Sequence, residues 1–154
     1  MNMDIDERPP LLAVDPGREK CGVAVVTYGR NVLEREIIST ADLPMRIAYH
    51  VGRYGIDIIV MGDRTGAREV RDSLRKAGFR MEMAFVDEDH SSEMGRRRFL
   101  LDNRGTGLNR LLPVGLRSPD RPYDDYVAVI LAERYLDGSR STRIRRSRKI
   151  VVGE

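Results

Sequence analysis

Tryptophan is absent from these 154 residues, phenylalanine occurs three times, and aromatics make up only 6% of the chain. A single-strand binder that stacks successive bases on aromatic rings is therefore not expected. Cysteine occurs once, as Cys21 inside an apolar run, so no internal disulfide can form and a reducing, cytoplasmic setting is the expectation. No apolar stretch approaches the roughly 18–20 residues that cross a bilayer. The start, "MNMDIDERPP", is acidic where an export signal is basic and then apolar. Neither a membrane protein nor an exported one is anticipated.

What is present suits one compact domain. Hydrophobic residues make up 41% of the chain, enough for one core and too few for two comfortable ones. The formal net charge of +3 is unevenly spread. Arg140, Arg143, Arg145, Arg146, Arg148 and Lys149 follow Gly138, opposed there only by Glu154, while the rest of the chain is mildly acidic. This divides the sequence into a domain over residues 1–138 and a basic tail over 139–154. A concentrated basic arm favours a polyanion, because each neutralised phosphate releases counterions. Alone, such a run is equally a solvated tail.

Short branched runs at 11–15, 20–28 and 31–38 read as three strands close enough for an antiparallel meander, with Gly29 and Asn31 turning the second hairpin. Leu43, Ile47, Ala48 and Val51 recur at helical spacing, Pro44 sits where a first turn tolerates it, and Gly55 stops the helix. "IDIIVMG" at 56–62 is continuous enough to be a strand buried on both faces. Ala67, Val70, Leu74 and Ala77 mark a second helix, and residues 80–86 alternate like a further strand. The serines of "DEDHSS" are expected to cap a third helix; residues 105–122 read as loop, and a last helix runs through "YDDYVAVILAERYLDG". Three consecutive strands followed by alternating helices and strands predict an α/β domain, a mixed five-stranded sheet with helices on both faces.

In such sheets ligands gather at the carboxyl ends of the parallel strands. Asp15, Asp63, Asp87 with Glu88, and Asp124 with Asp125 all fall there. Each has an ordinary reading alone: Asp15 as a turn starter, Glu88 as a loop charge, Asp124 and Asp125 as helix-start acids. Together they would repel one another unless hard divalent cations sat between them, and a pair of such ions supports phosphodiester cleavage. The cluster points to a metal-dependent nuclease. His50, in a helical pattern, reads as a satisfied or surface residue, and His90, beside the acids, is a weak candidate for a role.

"LAVDPGREKCGVAVV", "VDEDHSSE" and "YDDYVAVILAERYL" resemble, in order, the three signature segments of the YqgF/RuvX family. That family is linked to Holliday junction resolution, hence DNA recombination, and to pre-16S rRNA processing; it has the RNase H-like fold of the RuvC resolvases. The resemblance covers about residues 10–138. It implies an Mg²⁺- or Mn²⁺-dependent endonuclease with Asp15, Glu88 and Asp124 as catalytic metal ligands, and Gly17 and Gly22 as turn and close-approach glycines. It also implies a place for Ala128, which lets the last helix lie close to the sheet and brings Asp124 toward Asp15. The loop "GLNRLLPVGLRSPDRPYDD" is longer than the family's, the basic tail is an addition, and two further sites depart from the pattern. Asp89 stands where an arginine is usual, and "GDRTG" replaces a glycine-leucine-proline stretch, leaving Arg64 to replace the lost cation or Asp63 to join the acids.

The partners expected are a DNA junction or structured RNA, held without sequence reading by Arg64, Arg96, Arg97, Arg98 and the tail residues Arg143, Arg145 and Arg146. Read alone, "GRRR" is more often an ordinary solvated helix face. A junction substrate calls for a homodimer with two symmetric sites. Two other classes stay open: a catalytically inactive nucleic-acid-binding protein of the same fold, and a nucleotide phosphotransferase, since some ATPases also open with an aspartate-x-glycine hairpin.

Overall fold

The computed structural model describes residues 7–64, 66–103, 105, 110–138 and 145–146. Strand β1 (Leu11–Asp15) lies mid-sheet and pairs antiparallel with β2 (Lys20–Val26), which pairs antiparallel with β3 (Val32–Ser39). Helix α1 (Leu43–Tyr54) leads to β4 (Ile58–Gly62), parallel to β1, and α2 (Ala67–Lys76) leads to β5 (Glu82–Val86), parallel to β4. Helices α3 (Ser91–Asp102) and α4 (Asp124–Leu136) follow. A two-residue strand, β6 (Arg145–Arg146), pairs antiparallel with β5 at the sheet edge. The strand order is β3-β2-β1-β4-β5-β6. The expected five strands are present, and this sixth, from the basic segment, extends them.

Alternation along each strand sorts its side chains between two cores. Leu12, Val14, Val23, Val25, Ile59 and Met61 pack with Leu43 and Ile47 of α1 and Val70 and Leu74 of α2. Leu11, Ala13, Ala24, Val26, Ile58 and Val60 pack with Ala128, Val129, Leu131 and Ala132 of α4 on the other face. Helix α3 rides on α4, where Phe99 meets Tyr126 edge to face at 5.4 Å. Gly95 permits this approach, since a Cβ there would stand 2.7 Å from Val127 Cγ2.

Two local expectations are corrected, the stripe of α1 and the cap of α3. Ala48 is exposed, and the buried position beside Ile47 belongs to His50. His50 Nε2 is hydrogen-bonded to Glu36 on β3 at 2.9 Å, so a polar residue fills an apolar-looking stripe by pairing across to the sheet; Nδ1 lies 3.1 Å from Glu34, also on β3, without hydrogen-bond geometry. In the second hairpin Gly29 lies in the turn as expected, and the left-handed residue beside it is Arg30, at φ 70°. Ser91 does not cap α3 with its side chain; His90 occupies the cap position with φ 58°. Helix α4 is buried at every residue from Asp125 to Ala132, between the sheet and α3.

Candidate active site

The strand parity that builds the α4-facing core continues to the carboxyl ends of the strands. Asp15 follows Leu11 and Ala13 on that face, and Gly22, its partner in register, precedes Ala24 and Val26. Gly62 follows Ile58 and Val60 on the same face. The two glycines leave space that other residues fill. A Cβ on Gly22 would stand 1.9 Å from the Asp124 carbonyl oxygen, so the start of α4 rests directly on β2. A Cβ on Gly62 would stand 1.9 Å from Glu88 Oε2, so the Glu88 carboxylate lies over the end of β4. The room that Gly22 leaves is thus taken by backbone, and α4 reaches the sheet as Ala128 in its buried face suggests.

Asp15, Glu88 and Asp124 thereby come to one corner of the fold. Burial, then the charges of Asp124 and Glu88, push the Asp15 carboxyl up to about 7. Burial also raises Glu88, with Asp63 and Asp87 adding to it and Arg64 and Arg134 opposing it. Among the described residues no three His, Cys, Asp or Glu side chains converge closely enough to hold an ion as they stand.

The neighbouring acids separate by their partners. Asp125 is only 4% exposed and turns away to Arg35 Nε at 2.9 Å and Arg121 Nη1 at 3.4 Å, pinning α4 to β3. Asp87 Oδ1 accepts a hydrogen bond from the Asp89 amide at 2.9 Å and shapes its own turn. Asp63 is exposed beside the corner. His90 is exposed and lies 3.2 Å from Glu93, on its own helix.

The cations are distributed as follows. Arg64 pairs with Asp89 and reaches Glu88 at 3.9 Å, so the arginine and the unusual aspartate answer each other. Arg98 bonds Glu133 on α4 at 3.1 Å, Arg96 donates to the Arg117 carbonyl, and Arg97 is exposed. Arg143 lies outside the described residues; of Arg145 and Arg146 only the strand placement is described.

Three residues of this corner are not singled out by sequence pattern. Gly62 carries the signal of a strand-ending glycine before an acid. Lys20, whose Nζ lies 3.4 Å from Asp124 Oδ2, carries none beyond its charge. Arg134 donates from Nη1 to the Asp87 carbonyl at 2.5 Å and from Nη2 to that of Asp89, clamping the turn that presents Glu88. Along the chain it looks like one more surface charge in "AERYL".

No protein-family model and no curated protein matches the sequence. Among solved structures the chain is similar to Thermus thermophilus RuvC in complex with a Holliday junction substrate, at a TM-score of 0.57 and 14% identity over 85% of this chain and 95% of that one. A second Thermus thermophilus RuvC structure matches at 0.53 and 12% identity, over 90% of this chain and 99% of that one. At these identities the likeness is one of fold: an α/β domain of the RuvC-like, RNase H type.

Proposed function

We propose that this RNase H-like domain is a metal-dependent endonuclease that hydrolyses phosphodiester bonds in structured nucleic acid, either a four-way DNA junction or a folded rRNA precursor. One observation carries the reading: three carboxylates from distant parts of the chain meet on one sheet face, close enough for two of them to help raise the third to about 7. Carboxylates that gather and raise one another's titration are a mark of functional sites.

The donor set fits a hard divalent cation, since oxygens from Asp15, Glu88 and Asp124 are the ligands Mg²⁺ and Mn²⁺ take, and a cation would relieve their repulsion. When bound, such an ion supplies an activated water and neutralises charge developing on the phosphate. The chain's own residues do the rest. Asp15 is held rigidly by strand pairing, Asp124 by the seating of α4 on Gly22, and Glu88 by the clamp of Arg134 on its turn. Arg64 and Arg97, with Arg96, Arg98 and the segment holding Arg143, Arg145 and Arg146, offer positive charge to the nucleic-acid backbone. Of these, Arg64, Arg96 and Arg98 would first have to leave Asp89, the Arg117 carbonyl and Glu133.

Binding without cleavage is the second reading, favoured by Lys20 and Arg64 lying against two of the carboxylates. A cleavage panel of four-way junction, duplex, single-stranded DNA and structured rRNA precursor, with Mg²⁺ or Mn²⁺ and beside Asp15→Asn, decides between them. Nuclease function predicts metal-dependent cleavage of a structured substrate that Asp15→Asn loses while affinity stays within a few-fold. Wild-type protein that binds but never cuts overturns it in favour of the second reading.

A further inference from the structure

The loop between α3 and α4 turns two leucines outward: Leu111 is 82% exposed and Leu116 69%. The loop itself is braced. Arg117 donates from Nε to the Leu112 carbonyl at 2.7 Å and from Nη2 to the Arg110 carbonyl at 3.0 Å, and Arg96 of α3 donates to the Arg117 carbonyl. Val114 packs on the cluster of Phe99, Leu100 and Tyr126. Arg121 lies over the Phe99 ring and 3.4 Å from Asp125 in the first turn of α4. Two large apolar side chains are therefore held out in water by a loop tied to both helices.

Charge around the leucines selects their partner. Residues 96–121 hold seven arginines against two aspartates and no other charged residue, and Arg97 and Arg110 are exposed. A second copy seated face to face here would set arginine against arginine, so the partner is anionic. DNA is anionic outside and apolar between its base pairs. Aliphatic side chains wedge between DNA base steps, whereas unstacked RNA bases are taken mainly on aromatic and arginine planes, and the tips here are leucine. Prying open an intact duplex costs stacking energy; at a branch the stack is already interrupted. The loop also runs into α4, whose first residue is Asp124, so DNA gripped by it is brought toward the acid corner. We propose that Leu111 and Leu116 form a wedge that enters the open base step at the branch of a DNA junction, with the surrounding arginines on the flanking phosphates. This inference rests on the structured-nucleic-acid reading above and names the feature of the substrate that is gripped.

The test uses the full chain in chelator, so that no strand is cut, with a four-way DNA junction carrying 2-aminopurine beside the branch. Wild-type protein is expected to raise the fluorescence of that base. Leu111→Ser combined with Leu116→Ser is expected to abolish the rise and to weaken junction binding about tenfold, while duplex binding, held by phosphate contacts, stays within about twofold. Leu111→Met combined with Leu116→Met, apolar and of similar volume, is expected to keep the rise. Thermal melts check that each variant is folded, which the exposure of both leucines favours. A serine variant that keeps the rise and the affinity, or that loses junction and duplex binding alike, overturns the wedge. An equal, leucine-dependent rise on an RNA junction of the same sequence overturns the assignment to DNA. Leucine-dependent capture by vesicles of phosphatidylserine and phosphatidylcholine, with junction binding unchanged by the serines, gives the loop to a membrane instead. The proposed cleavage fails separately: wild-type protein that opens the branch but does not cut it once Mg²⁺ or Mn²⁺ is added removes the nuclease reading and leaves the wedge standing, and no binding to junction or duplex removes both.

Discussion

At the scale of the residue, Asp15 shows how a site is assembled against the interest of stability. Its carboxyl ordinarily titrates near 3.8 and is raised to about 7 in the fold, first by burial and then by Asp124 and Glu88. Between those values the folded protein keeps a proton that the unfolded chain has released, so stability falls as the pH rises through that window. Asp15→Asn removes the titration and the repulsion. Melted in chelator, the variant is expected to gain on the order of 5 °C over wild-type protein at pH 7.5 and little at pH 4. Equal gains at both pH values would show that the asparagine acts by something other than lost charge. Sequence position is enough to single out Asp15, because a carboxylate closing a buried strand ahead of a tight turn is visible locally. Lys20 is not visible in this way, because its meaning depends on a helix that starts more than a hundred residues later.

Two glycines separate packing from chemistry at the scale of the element. Gly22 lies under the backbone of α4, where a methyl group would meet the Asp124 carbonyl oxygen at 1.9 Å. Backbone cannot step aside cheaply, so Gly22→Ala is expected to cost about 1–3 kcal/mol and to lower the melting temperature. Gly62 lies under the end of a side chain, Glu88 Oε2, also 1.9 Å from the position of a methyl group. Glu88 can swing away, so Gly62→Ala is expected to melt within a few degrees of wild type while losing at least about tenfold in the proposed cleavage, since it would displace a proposed metal ligand. Parallel melts and cleavage rates check the pair, and equal stability losses would refute the distinction. The elements themselves are largely legible in the sequence, with α1, α2, β4 and β5 near their expected bounds. Individual stripe positions are not. His50 replaces Ala48 inside because Glu36 on β3 stands ready to bond with it, and α4 hides its period because the sheet and α3 together bury Asp125 to Ala132.

Charge asymmetry belongs to the whole molecule. The basic segment after Gly138 returns to the sheet at Arg145–Arg146, beside β5. Glu88 lies two residues beyond the end of that same strand. Ending the chain at Gly138 is expected to weaken binding to a four-way junction and to flatten its dependence on salt, by about 0.9 in log-log slope for each phosphate that is no longer neutralised. Affinities measured from about 50 to 200 mM salt with and without the segment test this; an unchanged slope would remove the arm from the interface.

Composition and strand-helix order determined by themselves that this is one α/β sheet with a run of antiparallel strands and then parallel ones, and that its acids end on one edge. Those features are local: periodicity, turn chemistry and the direction of crossovers suffice for them. Only the tertiary structure decided which acids face one another. It turned Asp125 to Arg35, kept Asp124 over Gly22, set Glu88 on Gly62, and placed Lys20 and Arg134 around them. A charge's partner is fixed by distance in space, and a sequence records distance only along the chain.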